Sequence, residues 1–450
     1  MEKWTDKIFY HIYPLGMCGT PKKNDFCSPA GYGLLSLLKH IPRLLSLGIN
    51  ALYIGPLFES SSHGYDTVDY YHVDRRLGNN NDLKELVKIL HEDGISVILD
   101  GVFNHTGRDF FAFKDVKEKR EKSQYADWYS NIDFHQNNEY KDGFSYEGWA
   151  GHMSLVKLNL ECCDVRDHLF DAVKYWIEEF DIDGLRLDAA NVISVDFLKE
   201  LSAFSKKLKK SFWLMGEIVT GDYRILAKEG FLDSVTNYDL YKSLWSSFND
   251  QNIYELSCAL KKEFSSNGLY KDLALYNFAD NHDVNRITSS IKDQAGLFPL
   301  YGALFCVPGI PSIYYGSEYG VYGKRDEYSD YNLRPAWEDN WAETNFGKDL
   351  FREICRFSKI RRESEALKNG NYCELLVNYD QILSFSRETD NETIIVIINA
   401  AHEKKECILK NKKIGDSNWI DLLSSEKFEA KNNILELLLY PSWLRILKKL

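Results

Sequence analysis

Four short apolar runs in this chain each deliver an acid. Residues 95–99 lead to Asp100, residues 184–187 to Asp188, residues 212–216 to Glu217, and residues 274–278 to Asp280 and Asp283. A strand buried on both faces is almost wholly apolar, so a single terminal acid reads as a cap or as half of a structural ion pair. Four in succession ask for another reason. Within Gly184-Leu185-Arg186-Leu187-Asp188 the Arg and the Asp stand two residues apart, so their side chains leave the same face of the strand. Carboxylates gathered this way can divide acid–base work: one stays ionised while another keeps a raised pKa and donates a proton. Parallel α/β barrels collect such groups from the C-terminal ends of several strands.

The rest of the pattern supplies elements to hold them. Strands are expected at residues 8–13, 50–54, 95–100, 184–188, 212–217, 232–236, 274–278 and 310–314. Helices are expected near 34–47, 83–91, 165–179, 194–209, 254–264, 297–306 and 351–361. The loop at 55–71 is long for a barrel connection and carries His63-Gly64-Tyr65-Asp66, and loops of that length are usually functional. Between 101 and 158 the alternation lapses into charge clusters and aromatics, which reads as an insertion. From about residue 370 short β-branched runs follow one another with no long helix between them. The expected architecture is α/β: a (β/α)8 TIM barrel over residues 1–105 and 158–365, a small inserted domain after the third strand at 106–157, and a C-terminal antiparallel β-sandwich domain at 366–450.

Composition narrows the function. Of 450 residues 44% are hydrophobic and 27% charged, an ordinary globular balance. The net charge of −12 argues against nucleic acid and against an anionic membrane surface. No window approaches a membrane span, and the first residues lack the apolar core of a secretory signal. Nine cysteines without zinc-type spacing suit a reduced, cytoplasmic chain. The surplus of aromatics (Trp 10, Tyr 28, Phe 25) suits flat, partly apolar ligands such as sugar rings.

Taken together, Asp100-Gly-Val-Phe-Asn104-His105, Gly184-Leu-Arg186-Leu-Asp188, Gly216-Glu217-Ile and Asp280-Asn-His282-Asp283 resemble the four ordered signature regions of the α-amylase family of glycoside hydrolases. Lys157-Leu-Asn-Leu is similar to that family's fifth motif, and Gly64-Tyr65-Asp66 to the loop that stacks on the innermost sugar. The likeness covers residues 1 to about 365, and the terminal β domain is similar in kind to the family's third domain. It implies a retaining hydrolase acting on α-glucosidic bonds of maltodextrins or short α-glucans, with Asp188 as nucleophile, Glu217 as acid/base and Asp283 as the third carboxylate. It also implies that Tyr65, His105, Arg186 and His282 bind substrate, with Asp100 holding His105 and the loop in place. Asp66 and Arg334, the latter within Asp330-Tyr-Asn-Leu-Arg334-Pro335, would form an ion pair that closes the innermost subsite and favours attack from the non-reducing end.

The expected partner is an α-glucan oligosaccharide, with no cofactor required; oligomeric state is not legible. The family often binds calcium through an Asn such as Asn104 with carboxylate and carbonyl ligands. The remaining oxygens are not identifiable in this sequence, so calcium is left open rather than expected. Two alternatives stay beside the hydrolase: an α-glucan glucosyltransferase or isomerase, which shares the covalent intermediate, and a catalytically silent glucan-binding homologue, against which the full carboxylate trio speaks.

Overall fold

Eight short strands carry the architecture: β1 (Phe9–Ile12), β2 (Ala51–Ile54), β3 (Ser96–Gly101), β4 (Gly184–Leu187), β5 (Trp213–Gly216), β6 (Ser234–Val235), β7 (Tyr276–Phe278) and β8 (Ile310–Tyr314). They come from a computed structural model that describes residues 3–327 and 329–450. Met1 and Glu2, which open the stretch read above as lacking a secretory signal, lie outside the described residues. The strands pair in parallel in the order β7-β8-β1-β2-β3-β4-β5-β6. A parallel bridge between Thr236 and Tyr276 joins the two ends of that order, so the sheet closes into a barrel.

Strand periodicity then sorts the side chains. Phe9, Ile98, Trp213, Tyr276 and Ile310 point into the lumen and pack as one apolar cluster. Their neighbours Tyr10, Val97, Leu214 and Ile313 belong to the larger core outside the lumen. The same inward row continues towards the C-terminal end with His11, Tyr53, Asp100, Arg186 and Glu217, so the lumen changes from apolar to polar along its axis. One close approach makes this possible. A Cβ on Gly184 would stand 2.4 Å from the backbone oxygen of Trp213, so only glycine lets β4 and β5 pair at this spacing.

The insertion is a three-stranded antiparallel sheet of His105–Gly107, His152–Lys157 and Gly148–Trp149, with the helix Phe111–Lys119 against it. At the C-terminus, six strands from Asn371–Val377 to Trp443–Lys449 form one sheet, and Lys405–Lys410 with Ile434–Leu439 form a second. Ile395 and Ile397 face the second sheet, while Ile394, Val396 and Ile398 join the barrel's core. This strand reads as a continuous apolar run because both of its faces are covered.

Several elements depart from expectation. The helix expected at 34–47 is three pieces, Gly33–Ser36, Leu37–His40 and Ile41–Ser46, with Pro42 in the first turn of the last. Ile41 before it keeps helical angles, φ −54° and ψ −48°, but Pro42 has no N–H to donate to the preceding turn, so the α-helical bonding is interrupted there. The helix Tyr238–Asn249 was not expected at all. Its inward face carries Ser243, Ser246 and Ser247, which blunts the apolar period, and its start is marked by Asn237, whose side chain accepts from Leu240 N at 3.1 Å. The last barrel helix is longer than expected, Asn345–Glu363, capped by Thr344. Among the described residues no helix is long and apolar enough to cross a membrane, and all nine cysteines are free.

Substituting Gly184→Ala should therefore push β4 and β5 apart and lower stability by about 1–3 kcal/mol, the usual cost of overpacking. Because Arg186 and Glu217 ride on those two strands, activity should fall with it. Thermal melts and initial rates on the same preparation check both; an unchanged melting temperature would contradict the strand contact.

Candidate functional site

β3 and β4 pair with Asp100 beside Arg186, and β4 and β5 with Leu187 beside Gly216. This register brings three acids to one guanidinium. Arg186 Nη1 donates to Asp100 Oδ1 at 2.9 Å and to Asp188 Oδ1 at 3.0 Å. Its Nη2 lies 2.8 Å from Glu217 Oε2. The Arg186 side chain is 3% exposed. Burial disfavours its charge, but Asp100 and Glu217 outweigh that and hold its pKa well above the usual value. Asp188 is pushed upward, first by burial and then by Glu217 and Asp100, with Arg186 opposing.

Asp100 is saturated on the other side as well. Tyr53 and Tyr65 donate their hydroxyls to its Oδ2 at 2.9 and 3.0 Å. The expectation that Asp100 holds His105 is thereby corrected. His105 instead turns Nδ1 towards the Asn104 amide at 3.2 Å and packs 5.7 Å from the Trp149 ring of the insertion. Asp100 is already committed to Arg186 and two tyrosines. Burial lowers the His105 pKa to about 3, so its imidazole is neutral, and its Nε2 is buried without a partner.

Asp283 has its own partners. Arg334 Nη2 sits 2.8 Å from Oδ1 and His282 Nε2 3.0 Å from Oδ2. Burial would raise this carboxyl, yet the charges and hydrogen bond of His282 and Arg334 hold it well below the usual range. His282 also meets the Tyr65 hydroxyl, and the two rings stack at 5.5 Å and 11°. The expected Asp66–Arg334 ion pair is not formed. Arg334 lies over the Tyr13 ring at 4.6 Å, bonded to Asp283 and 3.5 Å from Asp330. Asp66 Oδ2 accepts from Ser62 Oγ at 2.6 Å, and its buried Oδ1 has no hydrogen bond, with His63 Nδ1 3.8 Å away.

The structure thus brings Asp188, Glu217, Arg186, Tyr65, His282, Asp283 and Arg334 into one linked network, with His105 and Asp66 at its margin offering buried polar atoms that make no hydrogen bond. Sequence reasoning missed Tyr53, Tyr13, Asp330, Asn281 and Tyr238. Tyr53 had a signal: it alternates with Leu52 and Ile54 on β2 and so shares the inward face. Tyr238 had none, because its helix was not expected. Asn104 spends its amide on His105, and among the described residues no group of three or more His, Cys, Asp or Glu side chains is arranged to hold a metal.

Comparison with known proteins accounts for this arrangement. The family described as the α-amylase catalytic domain matches residues 28–406, and the maltogenic amylase C-terminal domain matches residues 373–442. A cyclomaltodextrinase of Bacillus sp is 33% identical over 416 residues, covering 88% of this chain and 72% of the relative. A maltogenic α-amylase of Bacillus acidopullulyticus is 30% identical over 466 residues, covering 96% and 77%. A solved cyclomaltodextrinase superposes with a TM-score of 0.87 at 28% identity, over 99% of this chain and 78% of that one. Motifs, barrel, carboxylate network and relatives agree: the chain belongs to the α-amylase family of glycosidases.

Proposed function

We infer that this enzyme cleaves α-glucosidic bonds in maltodextrins and short α-glucans by a two-step displacement with retained configuration. The observation that supports this most is the sharing of the Arg186 guanidinium by Asp188 and Glu217, one carboxylate on each terminal nitrogen. Retaining glycosidases need two carboxyl groups close together, without the wider gap that an inverting enzyme leaves for water. Asp188 is the nucleophile: Arg186 holds Oδ1, leaving Oδ2 to attack the anomeric carbon. Glu217 protonates the leaving oxygen and then takes the proton of the incoming water.

Burial and the neighbouring carboxylates push the Asp188 carboxyl upward, against the need of a nucleophile to stay ionised, and Arg186 is the group that opposes them. Asp283, paired with Arg334 and hydrogen-bonded to His282, stays ionised beside the oxocarbenium-like transition state. His105 Nε2 and Asp66 Oδ1, neither of which makes a hydrogen bond, are suited to sugar hydroxyls, since buried polar atoms without hydrogen bonds are costly unless a ligand supplies them. The relatives named cyclomaltodextrinase and maltogenic amylase support a maltodextrin substrate. Restriction to chain ends is not carried forward, because the Asp66–Arg334 contact it rested on is absent. The chemistry needs no cofactor, and nine free thiols support a cytoplasmic location.

Asp188→Asn should lower turnover on the order of 10^5-fold or more while changing stability by less than about 1 kcal/mol. Proton NMR of a maltooligosaccharide digest should show the α anomer first; initial release of the β anomer would sink the two-step reading. Arg186→Met removes the charge that opposes burial at Asp188, so the nucleophile's pKa rises and the acid limb of kcat/KM moves to higher pH. The same variant strips the opposing cation from Asp188, whose folded pKa then lies still further above its unfolded value. Its stability deficit, about 3–5 kcal/mol near neutrality, should therefore shrink as pH falls and grow as pH rises through those values. Melts across a pH series check the sign.

A further inference from the structure

The two oxygens of Glu217 are not equivalent. Oε2 accepts from the Ala189 N–H at 3.0 Å and lies 2.8 Å from Arg186 Nη2. An oxygen occupied by two donors has no room for a proton of its own, so the transferable proton belongs on Oε1. The Tyr238 hydroxyl faces Oε1 at 3.5 Å.

The direction of that hydroxyl is set from behind. The Asp283 N–H donates to Asn281 Oδ1 at 2.8 Å, which fixes the orientation of the amide. Asn281 Nδ2 is then left to donate to the Tyr238 oxygen at 3.2 Å. Having accepted from Asn281, the tyrosine can only turn its own O–H towards Glu217. The ring is seated edge-on against Phe278, centroids 5.0 Å apart at 79°, so its placement does not depend on the hydroxyl. Burial and the Glu217 charge raise the phenol's pKa, so it stays a donor.

We propose that Tyr238, oriented by Asn281, is a positioning residue that stabilises Glu217 in its ionised form and so marks the second half of the reaction from the first. This rests on the reading of Glu217 as acid/base. In the first half the Oε1 proton passes to the glycosidic oxygen as the C1–O bond breaks and an Asp188 oxygen bonds C1. Glu217 is then a carboxylate, and the Tyr238 O–H donates to Oε1. In the second half water bonds C1, the Asp188 ester breaks, and the water's proton goes to Oε1, replacing that hydrogen bond. Tyr238 keeps its own proton throughout. A separation of 3.5 Å is long for a finished hydrogen bond, and catalytic contacts commonly tighten only with substrate bound. The charged groups facing Glu217 are Arg186 and Asp188 from β4, with Asp283 from the loop after β7 and Asp100 behind Arg186. All of them remain when only the hydroxyl is removed.

The test is the pH dependence of kcat in Tyr238→Phe, because kcat reports the substrate-bound enzyme in which this contact tightens. Losing a bond that favours the carboxylate raises the acid's pKa, so the alkaline limb should move up by about one pH unit, the size of one hydrogen bond to a charged group. The acid limb, set by Asp188, should stay in place. A purely structural role would lower kcat and leave both limbs where they are. If Tyr238→Phe fails to fold, Asn281→Ala carries the test, since it frees the hydroxyl from its orientation and should move the same limb the same way. An unmoved alkaline limb in a folded variant overturns the proposal. In parallel, Glu217→Ala is assayed on an aryl α-maltoside with azide. Restored turnover with a glycosyl azide product keeps Glu217 as acid/base; absence of rescue overturns that reading itself rather than the part given to Tyr238.

Discussion

A single guanidinium inside the barrel has more carboxylates than it can neutralise. Arg186 bonds Asp100 and Asp188 through one nitrogen and meets Glu217 through the other, with a side chain only 3% exposed. Burying a charge is expensive unless geometry and partners are both good. Here the partners come from three adjacent strands, so the parallel register of β3, β4 and β5 is a condition of the site as much as of the fold. The imbalance is useful. It holds nucleophile and acid/base side by side on one cation, Asp188 on one terminal nitrogen and Glu217 on the other.

The rest of the barrel can be understood as support for that arrangement. Apolar rings from Phe9, Trp213 and Tyr276 fill the lumen below, keeping the strands apart at the width the polar row requires. Tyr53 and Tyr65 take the second oxygen of Asp100, so it cannot swing away from Arg186. Asp283 is handled separately by Arg334 and His282, which keeps its charge from adding to the Arg186 group. The C-terminal sheet packs onto the barrel through Ile394, Val396 and Ile398, beside the helix Leu297–Cys306, and none of the network residues named above comes from it.

Much of this was legible in the residues. The four acid-terminated strands could be read because a buried parallel strand tolerates few polar residues, so each exception stands out. Arg186 and Asp188 could be assigned one face because strand periodicity is strict. What could not be read depends on contacts distant in sequence. Arg334 had two acids within reach by motif, Asp66 and Asp283, and nothing in spacing decides which one a loop will present to it. The Tyr238 helix was hidden because its buried serines weaken the apolar period while finding partners inside the fold, Ser243 on Leu240 O at 3.0 Å and Ser246 on the Glu255 carboxylate. Likewise Asp100 was expected to hold both His105 and the long loop; it holds the loop through Tyr65, but its other bonds go to Tyr53 on β2 and Arg186 on β4 rather than to His105.

The central claim is that Asp188, held on Arg186, forms the covalent bond to sugar. The most direct measurement is mass spectrometry of the enzyme after reaction with a fluorinated α-glucosyl fluoride, whose glycosyl-enzyme breaks down slowly. Proteolysis should place one added sugar on the peptide that contains Asp188, with Asp100, Glu217 and Asp283 unmodified. A sugar found on any other carboxylate, or turnover of the reagent without a trapped adduct and with inverted product, would contradict the account.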